Sequence, residues 1–420
     1  MIKANDITRE SWIYYDGKSD FPIQNIPFGV FKNTNEIHIG TIIGNTVISL
    51  TELEKLGYLE ETNLEKKSFQ SHNLNLFIRQ GKSIWREIRD EVAILFDVKN
   101  KKLQNNSKHK DLVLFDLQQV ELIKPIQIGD YTDFYSSRDH AINVGKMFRD
   151  PDNALLPNWL HIPVGYHGRA SSIIISGKNI KRPSGQILPK GEKNPIFSKS
   201  KLLDFELEMA FITGEGKPLG ESISTDEAED YIFGLCLFND WSARDIQKFE
   251  YVPLGPFLGK SFASSMSPWI VTLDALENFR IMGEKQEPEV MPYLQYTGLK
   301  NYNINLEIFL ETENGNKTKI STSNFRYMYW NMCQQLAHHT VNGCNIKAGD
   351  LMASGTISGP EKNEYGSMLE LSWGGTKKIL LQNGESRKFL LNNDTIIMKG
   401  FGQNKNLRIG FGEVRNQIIE

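Results

Sequence analysis

Glu206 and Glu208 lie two residues apart in the run LLDFELEMAFI. On a strand both carboxylates leave one face, while Leu203, Phe205, Leu207, Met209 and Phe211 fill the other. Two such charges about 7 Å apart repel by roughly 0.6 kcal/mol in water and ~2.4 kcal/mol at an effective dielectric near 20. Asp240 follows the apolar run YIFGLCLF after Asn239, where a strand would end, and Asp133 lies in GDYTDFYSSRDH, just before a helical pattern. Acids beside apolar strands with few bases nearby are what a hard cation such as calcium or magnesium requires, because these ions take oxygen ligands. Plainer readings stand beside this one. Asp204, Glu206 and Glu208 can be the solvent side of an amphipathic strand, Asp240 the cap of the next helix with Ser242 and Asp245 forming a capping box, and Asp133 a turn residue.

His140 sits in the helical pattern after Asp133 and shares a face with Val144 and Met147. It reads either as a core histidine or as a general base two turns from a metal at Asp133, its reference pKa near 6.5 suiting that task. The loop PLGPFLGKSF carries Gly-Lys-Ser, but Gly255 and Gly259 enclose three residues where a phosphate loop needs four, and Pro256 lacks a donor. The glycines suggest close backbone approach, with Lys260 bringing a positive charge into an apolar loop. Glu370 interrupts SMLELSW, with Leu369, Leu371 and Trp373 opposite, as a surface acid or as the carboxylate that orients a histidine.

The elements that would position these residues fall into two patterns. EIHIGTII and TVISL flank the hairpin turn Gly44-Asn45, residues 71–96 read as one long helix, and residues 99–111 as an exposed polar connection. Beyond about residue 120 come short strands, including SSIIISG, NINLEIFLET, SMLELSW and NDTIIMKGF. Three helices stand among them: SSRDHAINVGKMFR, WSARDIQKFE and NFRYMYWNMCQQLAHH. This predicts a mainly β (α+β) chain divided into units 1–120 and 121–420.

The composition narrows the function. The 420 residues are 40% hydrophobic and 24% charged with a net charge of -3, and no dense basic stripe is present. Nucleic acid and anionic membranes therefore lack an electrostatic footprint, which leaves small molecules as partners. The polar, acidic start and the lack of a long apolar run predict a cytoplasmic protein without a membrane span. Three cysteines, Cys236, Cys333 and Cys344, with no CxxC pair, read as buried apolar residues rather than a disulfide framework.

Together these segments resemble the fumarylacetoacetate hydrolase family over nearly the whole chain. The resemblance is carried by SDFPIQNIPFGVF, IGDYTDFYSSRDHAINVGKMFR, NALLPNWLHIPVGYHGRASS, LLDFELEMAFI, FNDWSARDIQKFEYVPLGPFLGKSF, HHTVNGCNIKAGDLMASGTISG and GSMLELSWGGT. It implies a small SH3-like N-terminal barrel, a larger catalytic β-roll, a homodimer, and calcium or magnesium held by Asp133, Glu206, Glu208 and Asp240. It further implies that His140 activates water, held by Glu370, that Arg244, Gln247 and Lys260 surround an oxyanion, and that Tyr135, Arg149, Tyr166, Gln247, Tyr251 and Thr356 bind substrate. The family's usual KSFGT is KSFASS here; Ser264 keeps the hydroxyl, and the change bears on a second magnesium site at Asp240, Lys260 and Ser264. The implied reaction is hydrolysis of 4-fumarylacetoacetate to fumarate and acetoacetate, the last step of phenylalanine and tyrosine degradation. The alternatives are a hydrolase or decarboxylase of another β-diketo or 2-oxo acid, and a metal-stabilised binding protein without catalysis.

Overall fold

Leu203, Phe205, Leu207, Met209 and Phe211 all enter one core, as their spacing requires. The opposite face is not wet. Asp204, Glu206 and Glu208 are 0%, 6% and 0% exposed, and further along the same face Ala210 and Ile212 join a second core. The computed structural model describes residues 2–34 and 36–420. The run is a strand at Leu203–Asp204 and again at Leu207–Thr213, with a break at Phe205 and an isolated bridge from Glu206 to Ser367.

Leu207–Thr213 lies in the middle of an eight-stranded sheet. The strands run in the order Gly165–His167, Tyr131–Phe134, Leu351–Ala353, Leu207–Thr213, Ile232–Asp240, Ser264–Met266, Ile173–Ile175, and the eighth, Val271–Thr272, pairs with Ile232–Asp240 off this path. One face packs on a second, five-stranded sheet through Leu306, Ile308, Met398 and Val414. The other face covers the N-terminal unit, where Phe233 meets Phe28, Phe77 and Trp85 at ring separations of 5.6, 5.8 and 5.1 Å. That unit contains four strands of a five-stranded antiparallel sheet, including Glu36–Ile43 and Thr46–Ser49 joined by the expected Gly44-Asn45 turn, and the fifth, Glu121–Ile123, follows just past residue 120.

Several elements differ from the sequence expectation. Residues 71–96 form two helices, Asn75–Ile78 and Lys82–Leu95, because Gly81 takes φ +87° between them. The 99–111 connection buries Leu103 and starts a helix, Ser107–Val113, capped by Asn106. The third helix of the C-terminal part spans only Met332–Thr340, begun by an Asn331–Gln334 capping box. SMLELSW is a helical turn, Met368–Leu371, rather than a strand. Ser367 caps it through its hydroxyl, and the buried Asp204 carboxylate accepts the Met368 and Leu369 N–H groups at 2.7 and 3.0 Å. No Ser242–Asp245 box forms: Ser242 is in a strand, and Asp245 accepts from the Ser200 hydroxyl and the Lys201 N–H. Cys236 and Cys333 are buried, whereas Cys344 is half-buried.

Candidate active site

Asp133, Glu206, Glu208 and Asp240 converge. Each offers a carboxylate oxygen within 4.8 Å of the others, and all four residues are buried. The sheet explains the convergence. Asp133 and Glu208 lie within the strands Tyr131–Phe134 and Leu207–Thr213, and Asp240 ends its own strand opposite Ser264. Asp133 Oδ1 and Glu208 Oε1 have no hydrogen-bond partner. Burial, joined by the neighbouring carboxylate charges, pushes Asp133 and Glu208 well above the usual carboxylate range. Unpartnered, buried, like-charged oxygens are costly unless a cation lies among them, so this donor set fits a hard divalent ion.

Two bases from the sequence reading border the cluster. Lys260 is 7% exposed, and its ammonium pairs with Glu206 Oε2 and, at 2.7 Å, with Asp240 Oδ2. Arg244 reaches Glu206 Oε1 at 2.8 Å through Nη1 and Asp204 Oδ2 at 2.8 Å through Nε. Burial alone would raise the Glu206 pKa; Lys260 and Arg244 outweigh it and hold the carboxyl well below its usual range. Asp240 also accepts the Ser264 hydroxyl at 2.6 Å and the Tyr166 hydroxyl at 3.0 Å. Asp240, Lys260 and Ser264 thus do come together, but as an ion pair and a hydrogen bond that engage both oxygens of Asp240.

His140 and Glu370 meet as a buried pair, Nδ1 to Oε2 at 2.8 Å. The Ser358 and Ser367 hydroxyls, each at 2.9 Å, donate to the same oxygen, and the Asn143 amide donates to Oε1 at 2.9 Å. Burial would raise the Glu370 pKa, but His140 and these donors hold it below its usual value. An ionised Glu370 takes the Nδ1–H and leaves the Nε2 lone pair free as a base. The imidazole also touches the edge of the Tyr135 ring, with centroids 5.2 Å apart.

The remaining positions are placed less uniformly. Gln247 Oε1 accepts from Arg244 Nη1 at 3.3 Å, which leaves its NH₂ as the donor end of the side chain. Gly259 packs against it: a Cβ there would lie 2.7 Å from that of Gln247, the close approach expected of this loop. Gly255 instead makes a left-handed turn at φ +96°. Thr356 is buried beside Gly355, whose N–H donates to Glu208 Oε2 at 3.0 Å. Arg149 is exposed and held by Ala154 O through Nε and Nη2 at 3.2 and 2.7 Å. Tyr251 is 52% exposed, unlike the buried cluster residues.

Sequence reasoning missed Asn143, Ser358 and Ser367. Asn143 carried a signal, being one helical turn from His140. Ser358 and Ser367 carried none, because only chain folding brings them to Glu370. Asp204 was visible by alternation but read as a solvent-facing residue.

Two family models match the chain: "Fumarylacetoacetase N-terminal" over residues 24–125 and "Fumarylacetoacetate (FAA) hydrolase C-terminal" over residues 130–419. The chain is 49% identical over 404 residues to a Homo sapiens protein named Fumarylacetoacetase, covering 96% of each. It is 48% identical to the protein of that name from Dictyostelium discoideum and 46% to that from Arabidopsis thaliana, covering 98% of both chains in each case. Among solved structures it resembles a fumarylacetoacetate hydrolase from Exiguobacterium antarcticum, with a TM-score of 0.54 at 17% identity, covering 94% of this chain and 99% of that one. At that identity the likeness shows the fold. With both family models matched in order along its length, the chain belongs to the fumarylacetoacetate hydrolase family.

Proposed function

We propose that the chain hydrolyses the carbon–carbon bond of 4-fumarylacetoacetate to fumarate and acetoacetate. The observation that carries this reading is one buried centre in which a cation-fitting carboxylate cluster, a carboxylate-backed imidazole and a cluster-facing ammonium adjoin. The name Fumarylacetoacetase, borne by relatives 44% to 49% identical over nearly their full length, supports it.

Asp133, Glu206, Glu208 and Asp240 would hold the cation, for which calcium or magnesium is proposed since every donor is a carboxylate oxygen. Bound there, it supplies a Lewis acid and template for the diketone oxygens. His140 Nε2 takes a proton from water, and the water oxygen bonds to the carbonyl carbon on the fumaryl side. The adjoining carbon–carbon bond breaks, its electron pair stays on the acetoacetate carbon, and the proton is delivered there. Lys260 has two N–H groups engaged by Glu206 and Asp240, which leaves the third for the developing oxyanion. The NH₂ of Gln247 and the Nη2 of Arg244 are further donors in the same role. Arg149 Nη1 is left for a substrate carboxylate, with Tyr135, Tyr166, Tyr251 and Thr356 as neutral contacts.

A division into units 1–120 and 121–420, a homodimer and a cytoplasmic setting complete the proposal. Among the described residues no helix is long and apolar enough to cross a membrane, and the three cysteines are free. The deciding assay follows the metal-dependent loss of the diketone absorbance by purified protein. No turnover with calcium or magnesium, or a higher kcat/KM on simple acylpyruvates, would overturn the substrate assignment; light scattering reads the dimer.

A further inference from the structure

Asp204 is the one carboxylate on the acid face that stays out of the cation-fitting cluster. It is 0% exposed, so a role is needed for a charge buried at that depth. Its two oxygens accept three hydrogen bonds. Oδ1 takes Met368 N–H at 2.7 Å, and Oδ2 takes Leu369 N–H at 3.0 Å and Arg244 Nε–H at 2.8 Å. Those donors belong to different arms of the centre. Met368 and Leu369 begin the helical turn that carries Glu370, the carboxylate behind His140. Arg244 continues from Asp204 to Glu206 and Gln247 and keeps a buried Nη2 without a partner.

The surrounding backbone is tied at the same place. Asp204 pairs with Ser242 in a short antiparallel ladder, and Arg244 N–H donates to Leu202 O at 3.0 Å. A guanidinium whose Nε edge is fixed by a carboxylate presents its Nη groups in one plane. We propose that Asp204 is a positioning residue that locks the Arg244 fork against the Glu370 turn, so that the oxyanion donors and the His140 base keep one relative placement. The inference rests on the site reading above.

Substitution by Asn is a sharp probe because donors face both ends of the side chain. Whichever way the amide turns, its NH₂ meets an N–H group: in the place of Oδ1 it releases Met368 of the Glu370 turn, and in the place of Oδ2 it releases Arg244 and Leu369 together. Asp204→Asn should lower kcat by about 10- to 100-fold, the usual effect of losing a residue that orients a ligating or catalytic group. Calcium affinity, read by titration of the cation alone, should stay within about twofold of the unaltered protein. A residue that is merely structural would lower activity equally in any background. In an Arg244→Ala background the further loss from Asp204→Asn should instead be about fivefold smaller.

Rates are referred to the folded fraction, read from the amplitude of the thermal unfolding transition, and Asp204→Ser serves as a second, smaller replacement. The inference is overturned if Asp204→Asn keeps kcat within about threefold, or if its loss is the same with and without Arg244. Glu206→Gln, measured alongside, separates the two claims. If that variant still binds calcium and turns over normally, the site reading falls; if it is inactive while Asp204→Asn is unimpaired, only the role of Asp204 falls.

Discussion

His140 differs from an ordinary core histidine by what holds it: Glu370 on Nδ1, with Asn143, Ser358 and Ser367 fixing the carboxylate. His140→Ala should lower kcat by about 10²- to 10⁴-fold while calcium titration is unchanged, because the proposal makes the imidazole the base and leaves it outside the four-carboxylate cluster. Glu370 has a second, pH-dependent consequence. Its folded-state pKa lies below the ordinary value of 4.5, so its contribution to stability is present above that value and fades as pH falls through the depressed one. Urea titrations below pH 4.5 should therefore show a loss of stability that Glu370→Gln flattens.

The Glu370 turn and the Gly355 bend show how short elements place charges. Ser367 caps the turn and also donates to Glu370, so Ser367→Ala should reduce stability by about 1 kcal/mol in urea titrations and lower kcat as well. Gly355 adopts φ +76°, and a Cβ there would stand 2.3 Å from Phe134 O. Gly355→Ala should reduce stability by at least about 1 to 2 kcal/mol from the left-handed backbone alone. It should also weaken calcium binding, since the Gly355 N–H holds Glu208 Oε2.

The central sheet is a shared layer, with the acid centre on a sheet whose residues Ala210, Ile212, Phe233, Cys236 and Phe238 pack into the core shared with the N-terminal unit. Removing residues 1–120 would leave that apolar surface open, so the remaining chain should aggregate rather than act as a smaller enzyme, as size-exclusion chromatography would show. Cation removal should be felt by the whole molecule too. The proposed cation, supplied as calcium at a hundred times its Kd, would stabilise the folded state by about 2.7 kcal/mol, so chelation should lower Tm and re-addition restore it.

The sequence by itself determined the residue types and local periods. Alternation put Glu208 on the acid side of a strand, with Glu206 on the bridge just before it, and helical spacing put His140 on a helix. The Gly44-Asn45 hairpin and the mainly β character were legible for the same reason: neighbours within a few residues decide them. Tertiary structure decided what each charge faces. Asp204 looked solvent-exposed because alternation reports a face but not what covers it, and its partners Met368 and Leu369 lie far along the chain. SMLELSW read as a strand because its β-like alternation is local, whereas the acid and serine that cap it as a helical turn include a residue from a remote strand. The carboxylate cluster itself exists only where separate strands of one sheet and the adjoining bridge residue Glu206 converge, since burial and charge pairing are properties of the packed layers and not of any one segment.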